Sequence, residues 1–169
     1  MMKHPQILIP FSRTWRPLLS VATVVILSGC PAVLDQVVFT ASSTPINTST
    51  QLVSYSEFET MVANTESFIL TITNQTCACT VEFIPLFNQY LTTMNIPGYT
   101  LEYTQVLYQQ NKHGLPVTDA NSPILTVFDH GILKYSRAYK VGDANYNRTF
   151  TNYDELARYL GDRIDVIVS

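Results

Sequence analysis

The stretch FILTITNQTCAC, residues 68–79, determines the fold predicted for this chain. Its first half, Phe68–Thr73, is a run of β-branched and aromatic residues of strand length, with polar residues before and after it. Such a run predicts a buried β-strand. Its second half places Cys77 and Cys79, with one residue between them, at the point where a helical pattern begins. The stretch therefore predicts a strand that leads through a short loop into a helix.

The residues behind Cys79 are spaced as on one face of an amphipathic helix. Apolar side chains recur there at steps of three and four residues: Val81, Ile84, Phe87, Tyr90, Leu91 and Met94. This spacing predicts a helix that ends near residues 95–98, and Pro85 inside it predicts a kink. Residues 99–108, rich in Thr, Tyr, Val and Leu, predict the next strand, so the two strands flank a helix as in a βαβ unit.

The remaining pattern predicts a helix before this unit and a hairpin after it. Residues 55–62 form the helix, with Ser54 or Ser56 as its N-cap. Residues 123–128 and 132–139 are strands joined at a turn in which Gly131 supplies a positive φ. Residues 150–161 form a closing helix. The predicted fold class is therefore α/β, with helices flanking a central mixed β-sheet.

Over roughly residues 54–163 the chain resembles the thioredoxin superfamily. The resemblance rests on the Cys77-Ala78-Cys79 sequence after the first buried strand, on Ser122-Pro123 before the hairpin, and on Phe128 with Gly131 and the later Val141-Gly142. It implies a thioredoxin-like fold in which Pro123 is a cis-proline beside the active site. It also implies a substrate groove shaped by Thr76, Ser122 and Pro123.

The cysteine sequence departs from the usual pattern of that superfamily, which has two residues between the cysteines. Pro85 lies eight positions after Cys77, so Cys77 matches the nucleophile and Thr80 matches the usual second cysteine. Thr71 stands where thioredoxins often carry a buried carboxylate. The site thus lacks the usual proton acceptor unless Glu82 or a water replaces it.

Chemistry at Cys77 follows from its place between a strand and a helix. Unpaired N–H groups and the positive end of the helix dipole favour the thiolate, which is the form that attacks disulfides. Cys79 then resolves the mixed disulfide. A disulfide across one residue fits the usual Cα separation of about 4.4–6.8 Å, but we expect it to be strained and readily transferred. Exported proteins work in an oxidising compartment, so we expect oxidase or isomerase behaviour.

Three other interpretations of the cysteine pair remain open. Cys77 and Cys79 form an inert local staple, or the domain has lost its chemistry and binds an extended peptide in the groove beside Pro123. Alternatively the two sulfurs are soft metal ligands, with His113 as a third ligand. We predict no metal, because the paired-motif spacing of a zinc site is absent. No diffusible cofactor is needed, because the cysteines themselves carry the electrons.

The N-terminus has the pattern of a bacterial lipoprotein precursor. Basic residues precede the apolar run 21–27, which ends in Leu27-Ser28-Gly29-Cys30, a sequence that resembles a lipobox. The run is too short for a transmembrane helix of roughly 20 residues, although a permanent N-terminal span is the alternative. The resemblance implies cleavage before Cys30, acylation of Cys30, and anchoring on the outer face of the cell membrane.

These features divide the chain into a signal peptide at 1–29, a lipid-anchored Ser/Thr-rich tether at 30–50, and a thioredoxin-like domain at 51–169. Val37–Phe39 within the tether is alternatively an extra strand at the domain's edge. Cleavage leaves seven basic against thirteen acidic residues, a formal charge of −6. An acidic chain without a basic run makes nucleic acid an unsuitable partner. The expected partners are the thiols and disulfides of exported proteins, together with a redox partner that the sequence does not identify.

Overall fold

A five-stranded mixed sheet forms the centre of the computed structural model, which describes residues 35–44, 50–109, 112–116, 123–138, 150 and 152–168. Its strands are β2 (Gln51–Val53), β3 (Phe68–Thr73), β4 (Gly98–Glu102), β5 (Ile124–Asp129) and β6 (Ile132–Ala138). They lie in the order β2-β4-β3-β5-β6. The first three are parallel, whereas β5 and β6 are antiparallel to their neighbours. The predicted mixed sheet is confirmed.

Helices cover both faces of this sheet. They are α1 (Tyr55–Ala63), α2 (Ala78–Met94), α3 (Tyr103–Leu107) and α4 (Tyr153–Gly161). The central strand β3 is buried along its whole length, and its side chains alternate between two apolar clusters. Ile69 packs in the cluster that contains α2 and α4 residues, whereas Leu70 packs in the cluster of α1 and α3 residues. Burial on both faces explains why β3 reads as one apolar run.

The predicted βαβ unit is present as β3, α2 and β4. β3 and β4 are parallel, with Thr71 beside Thr100 and Thr73 beside Glu102. α2 contains Pro85, and the kink expected there stays a prediction. The predicted strand 99–108 is wrong in its second half, because β4 ends at Glu102 and α3 follows at once. Tyr103 and Val106, three residues apart, bury one face of α3 in the α1 cluster, and this packing favours the helix over a continued strand.

A second, two-stranded sheet joins the two ends of the described chain. It consists of β1 (Val37–Ala41), which pairs in parallel with β7 (Ile164–Val168). The sequence left two possibilities for Val37–Phe39, a part of the tether or an extra strand. The structure shows a strand over Val37–Ala41. β1 pairs with β7 and not with the five-stranded sheet, and its residues Val37 and Phe39 pack in the α2 and α4 cluster.

Within the described residues no helix is both long enough and apolar enough to span a membrane. The predicted signal peptide and Cys30 lie outside the described residues, as do Ser122 and Val141-Gly142.

Candidate functional site

The cysteine pair lies where β3 leads into α2. Cys77 is the N-cap residue of α2 and Cys79 is the second residue of the helix. The two form a disulfide, with their Cα atoms 5.3 Å apart. Both residues are partly exposed, and Ala78 between them is exposed. The sequence therefore located the pair correctly at a strand end and a helix start, and the structure adds that both cysteines are within reach of solvent.

Asn74 shapes the loop that carries Cys77. Its side-chain oxygen accepts hydrogen bonds from the backbone N–H of Thr76 at 3.0 Å and from the Thr76 hydroxyl at 2.7 Å. Its carbonyl accepts from the N–H of Cys77 at 3.0 Å. Asn and Asp commonly close turns in this way. The turn ends the strand and sets Cys77 at the helix start, while Thr76, predicted to contact substrate, is exposed.

The electrostatic setting at the start of α2 favours negative charge. Cys77 makes no side-chain cap hydrogen bond, and the first turn of α2 contains no acidic residue. Helix N-termini carry a partial positive charge that stabilises an anion. A thiolate formed at Cys77 on reduction would meet that charge without a competing carboxylate in the first turn.

Thr80 lies behind the pair, at the position where the resolving cysteine usually stands. Thr80 is buried, and its hydroxyl has no hydrogen-bond partner among the described residues. Thr76 and Thr80 do not wall off the cysteines, because Thr76 is exposed and both cysteines are partly exposed.

Pro123 comes immediately before β5 and is buried. β5 pairs with β3 so that Ile124 lies beside Ile72. Pro123 is therefore at the same edge of the sheet as the end of β3, from which the cysteine loop starts. The peptide bond before it belongs to Ser122, outside the described residues, so the expected cis-proline stays a prediction.

His113 does not approach the cysteines, contrary to the metal-site interpretation. Its ring lies edge-on to Phe58, with centroids 5.5 Å apart, and 3.8 Å from a carboxylate oxygen of Glu59. Both partners belong to α1, on the sheet face opposite to α2. Over the described ranges, no group of three or more His, Cys, Asp or Glu side chains is arranged to hold a metal ion.

A pocket of about 220 Å³ lies beside the cysteine loop, between α2 and the β2, β4 and β3 strands. Four of its seven lining residues are threonines: Thr50, Thr73, Thr80 and Thr100. The other three are Leu52, Gln75 and Ile84. Sequence reasoning did not find this pocket, because its walls come from four separate segments.

Glu102 is the functional candidate that sequence reasoning missed. It accepts a hydrogen bond from the backbone N–H of Gln75, in the cysteine loop. Burial raises the pKa of its carboxyl, against the opposing effect of that hydrogen bond. The predicted strand 99–108 placed Glu102 in mid-strand, whereas in the structure it ends β4 at the edge of the sheet where the cysteine loop begins. The other candidate acid, Glu82, is exposed on α2.

Similarity to known proteins is found in structure and not in sequence. No protein-family model matches the chain, and no curated protein matches it. Oxidised thioredoxin O2 from Arabidopsis thaliana superposes with a TM-score of 0.51 at 13% identity, covering 72% of this chain and 100% of that chain.

Two other thioredoxins give slightly lower scores. Oxidised thioredoxin from Plasmodium falciparum has a TM-score of 0.48 at 16% identity, covering 67% of this chain and 96% of that one. Thioredoxin from Malassezia sympodialis has a TM-score of 0.48 at 15% identity, covering 72% and 96%. The superposition on thioredoxin O2 shows that this protein has the thioredoxin fold. Its own cysteine pair occupies the strand-to-helix junction of that fold.

Proposed function

We propose that this protein is a thiol-disulfide oxidoreductase that acts through Cys77 and Cys79. The observation that carries the proposal is a partly exposed disulfide at the N-terminus of a helix in a thioredoxin fold. Reactive cysteines need such a place, because a buried sulfur meets no partner and a thiolate needs positive charge nearby.

The favoured direction is oxidation or isomerisation of client proteins. A client thiolate attacks the sulfur of Cys77, the Cys77–Cys79 bond breaks, and Cys79 leaves as a thiolate. A second client thiolate then attacks the client sulfur of the mixed disulfide and releases Cys77 as a thiolate. The client loses two electrons and gains a disulfide, while the protein gains them as a dithiol. Two features support oxidation or isomerisation of clients over their reduction. The disulfide closes a small ring, because one residue separates the two cysteines, and position 71 carries a threonine and not a carboxylate.

Client peptides would bind along the groove beside the pair. Pro123, buried at the same sheet edge as the cysteine loop, would form its floor, and the exposed Thr76 would flank it. We include Ser122 among the proposed substrate-binding residues because it directly precedes Pro123. An extended peptide in this groove would bind by strand-like main-chain hydrogen bonds to the backbone beside Pro123. The clients would be exported proteins, and a separate redox partner would reoxidise the cysteines.

The location proposed for the protein is the outer face of the cell membrane, through a lipid on Cys30. The Leu27-Ser28-Gly29-Cys30 sequence supports this proposal. Expression of the full chain in a bacterium with a labelled fatty acid tests it. We expect label in the wild type and none in Cys30→Ser, whereas equal label in both would overturn the anchor.

Equilibration with glutathione redox buffers, read by intact mass, tests the chemistry. We expect a reversible Cys77–Cys79 disulfide within the glutathione range. In matched single variants, Cys79→Ser should trap glutathione on Cys77, and Cys77→Ser should trap much less on Cys79. A disulfide that stays closed in every buffer would instead indicate an inert staple in a peptide-binding module.

A further inference from the structure

The carboxylate of Glu102 is held against the cysteine loop. Glu102 lies beside Thr73 in the β3–β4 register, and side chains of paired residues leave a sheet from the same face. That face is the one covered by α2, because Thr73 and Thr100 both line the pocket with Thr80 of α2. The carboxylate accepts from the N–H of Gln75. It is therefore bonded to the loop two residues before Cys77.

The second oxygen of this carboxylate is left without a partner. Oε2 of Glu102 is buried and has no hydrogen bond to any described residue. A buried and unpaired carboxylate oxygen is costly, and protonation removes most of that cost. The fold thus holds a carboxyl group at the site in a setting that favours its neutral form.

No positively charged group on the elements around Glu102 opposes the neutral form of its carboxyl group. β2 and β3 carry no titratable side chain, and α3 and β4 contribute only Tyr103 and Tyr99 besides Glu102 itself. α2 carries Glu82, Tyr90 and Cys79, with Cys77 as its N-cap. None of these elements contains Lys, Arg or His. No cation on the surrounding elements stabilises the ionised carboxylate, so nothing on these elements opposes the rise that burial causes in the pKa of Glu102.

The threonine-lined pocket lies next to two residues that contact or pair with Glu102 and next to Thr80, the residue after Cys79. Thr73, which pairs with Glu102, and Gln75, which donates to it, line one part of the pocket, and Thr80 lines another. Its volume of about 220 Å³ has room for several water molecules, since each occupies about 30 Å³ in the liquid. The unpartnered hydroxyl of Thr80 provides a donor and an acceptor for such waters.

We propose that Glu102 is the proton-transfer residue of the Cys77–Cys79 site, acting on Cys79 through water in the threonine-lined pocket. This inference rests on the proposed function. When a client thiolate attacks Cys77 and the disulfide breaks, Cys79 leaves as a thiolate and receives a proton relayed from the Glu102 carboxyl. Solvent then reprotonates Glu102. In the reverse direction Glu102 takes the proton from the Cys79 thiol, which then attacks the mixed disulfide.

The pH dependence of disulfide opening by glutathione tests this role in single-turnover measurements. In the wild type, the rate constant per glutathione thiolate should fall about a hundredfold as pH rises through the titration of Glu102, which is the lower end of the range for general acid–base catalysis. Glu102→Gln keeps an oxygen that accepts from Gln75 but carries no exchangeable carboxyl proton. It should react at the slow rate at every pH. The matched control Glu59→Gln, in α1 on the opposite face of the sheet, should keep the wild-type profile.

Carbon NMR of the Glu102 carboxyl in the unaltered protein provides a second readout. We expect its titration midpoint to be higher in the reduced protein than in the disulfide form, because negative charge on the nearby Cys79 sulfur disfavours a second negative charge on Glu102. An unchanged pH step in Glu102→Gln, or one midpoint in both redox forms, would overturn the role of Glu102 while leaving thiol exchange intact. Absence of exchange in the wild type at any pH would overturn the proposed function and this inference together.

Discussion

Gly131 shows how a single residue determines the β5–β6 hairpin. Its φ is +74°, and the preceding His130 has a φ of +49°, the pair of positive values that a tight two-residue hairpin turn requires. The N–H of Gly131 donates to the Glu66 carbonyl at 2.8 Å. A Cβ at this position would lie 2.3 Å from the carbonyl oxygen of Val62. Glycine is therefore required here both by conformation and by space.

Gly131→Ala should lower the free energy of unfolding by about 1–3 kcal/mol, because the added methyl group meets backbone and the positive φ is strained. Urea unfolding followed by circular dichroism measures this. Gly161→Ala is the matched control, since a Cβ there meets no atom within 4 Å, and it should leave stability unchanged or raise it by up to about 1 kcal/mol. Equal effects of the two substitutions would contradict the close approach to Val62.

At the scale of the element, α1 begins with a complete capping box. The Ser54 hydroxyl accepts from the N–H of Glu57 at 3.2 Å, and the Glu57 carboxylate accepts from the N–H of Ser54 at 2.7 Å. The N–H and the hydroxyl of Ser54 together hold the pKa of Glu57 below its ordinary value. The sequence allowed either Ser54 or Ser56 as the N-cap of α1, and in the structure the N-cap is Ser54.

Ser54→Ala should therefore destabilise the protein by about 1 kcal/mol at neutral pH. Ser56→Ala, on the exposed side of α1, is the control and should have an effect below about 0.5 kcal/mol. Because the pKa of Glu57 is lowered on folding, its contribution is present above its unfolded pKa and is lost as pH falls through the folded value. The difference between the two variants should shrink in acid, and a difference that grows there would contradict the capping box.

The β1–β7 sheet packs one side of each strand on the domain. Phe39 in β1 is 6% exposed and lies in the α2 and α4 cluster, whereas its neighbour Val38 is 54% exposed. Phe39→Ala should cost about 3 kcal/mol or more, and Val38→Ala less than about 1 kcal/mol. Thermal unfolding of residues 30–169 measures both. Comparable small losses would show that residues 37–41 act only as a tether.

At the scale of the whole molecule, the disulfide makes a local link in a domain stabilised by two apolar clusters. It closes a loop of only three residues, and the loop-entropy relation assigns such a link about 1–2 kcal/mol. The clusters on the two sheet faces contain most of the buried side chains and do not include either cysteine. The redox state of the pair can therefore change while the fold is retained.

Reduction should lower the free energy of unfolding by no more than about 2 kcal/mol. Urea titrations with and without a phosphine reductant measure the difference, and Cys77→Ser combined with Cys79→Ser serves as a control for the dithiol form. Unfolding on reduction would contradict an exchange role and favour a structural staple.

The sequence by itself determined the elements whose patterns are local. Burial on both faces made β3 a continuous apolar run, the three- and four-residue steps defined α2, and the turn at Gly131 defined the hairpin. The junction of β3 and α2 placed Cys77 and Cys79 correctly for the same reason, since their position depends only on adjacent residues.

The tertiary structure decided what depends on distant partners. β1 and β7 are short strands that exist through pairing with one another, more than a hundred residues apart in sequence. Tyr103–Leu107 is a helix because its buried face packs against α1, not because of its own propensity. His113 was separated from the cysteines by the sheet. Glu102 lies against the cysteine loop because β4 pairs with β3. Neither the position of His113 nor that of Glu102 can be predicted from the spacing of residues along the sequence.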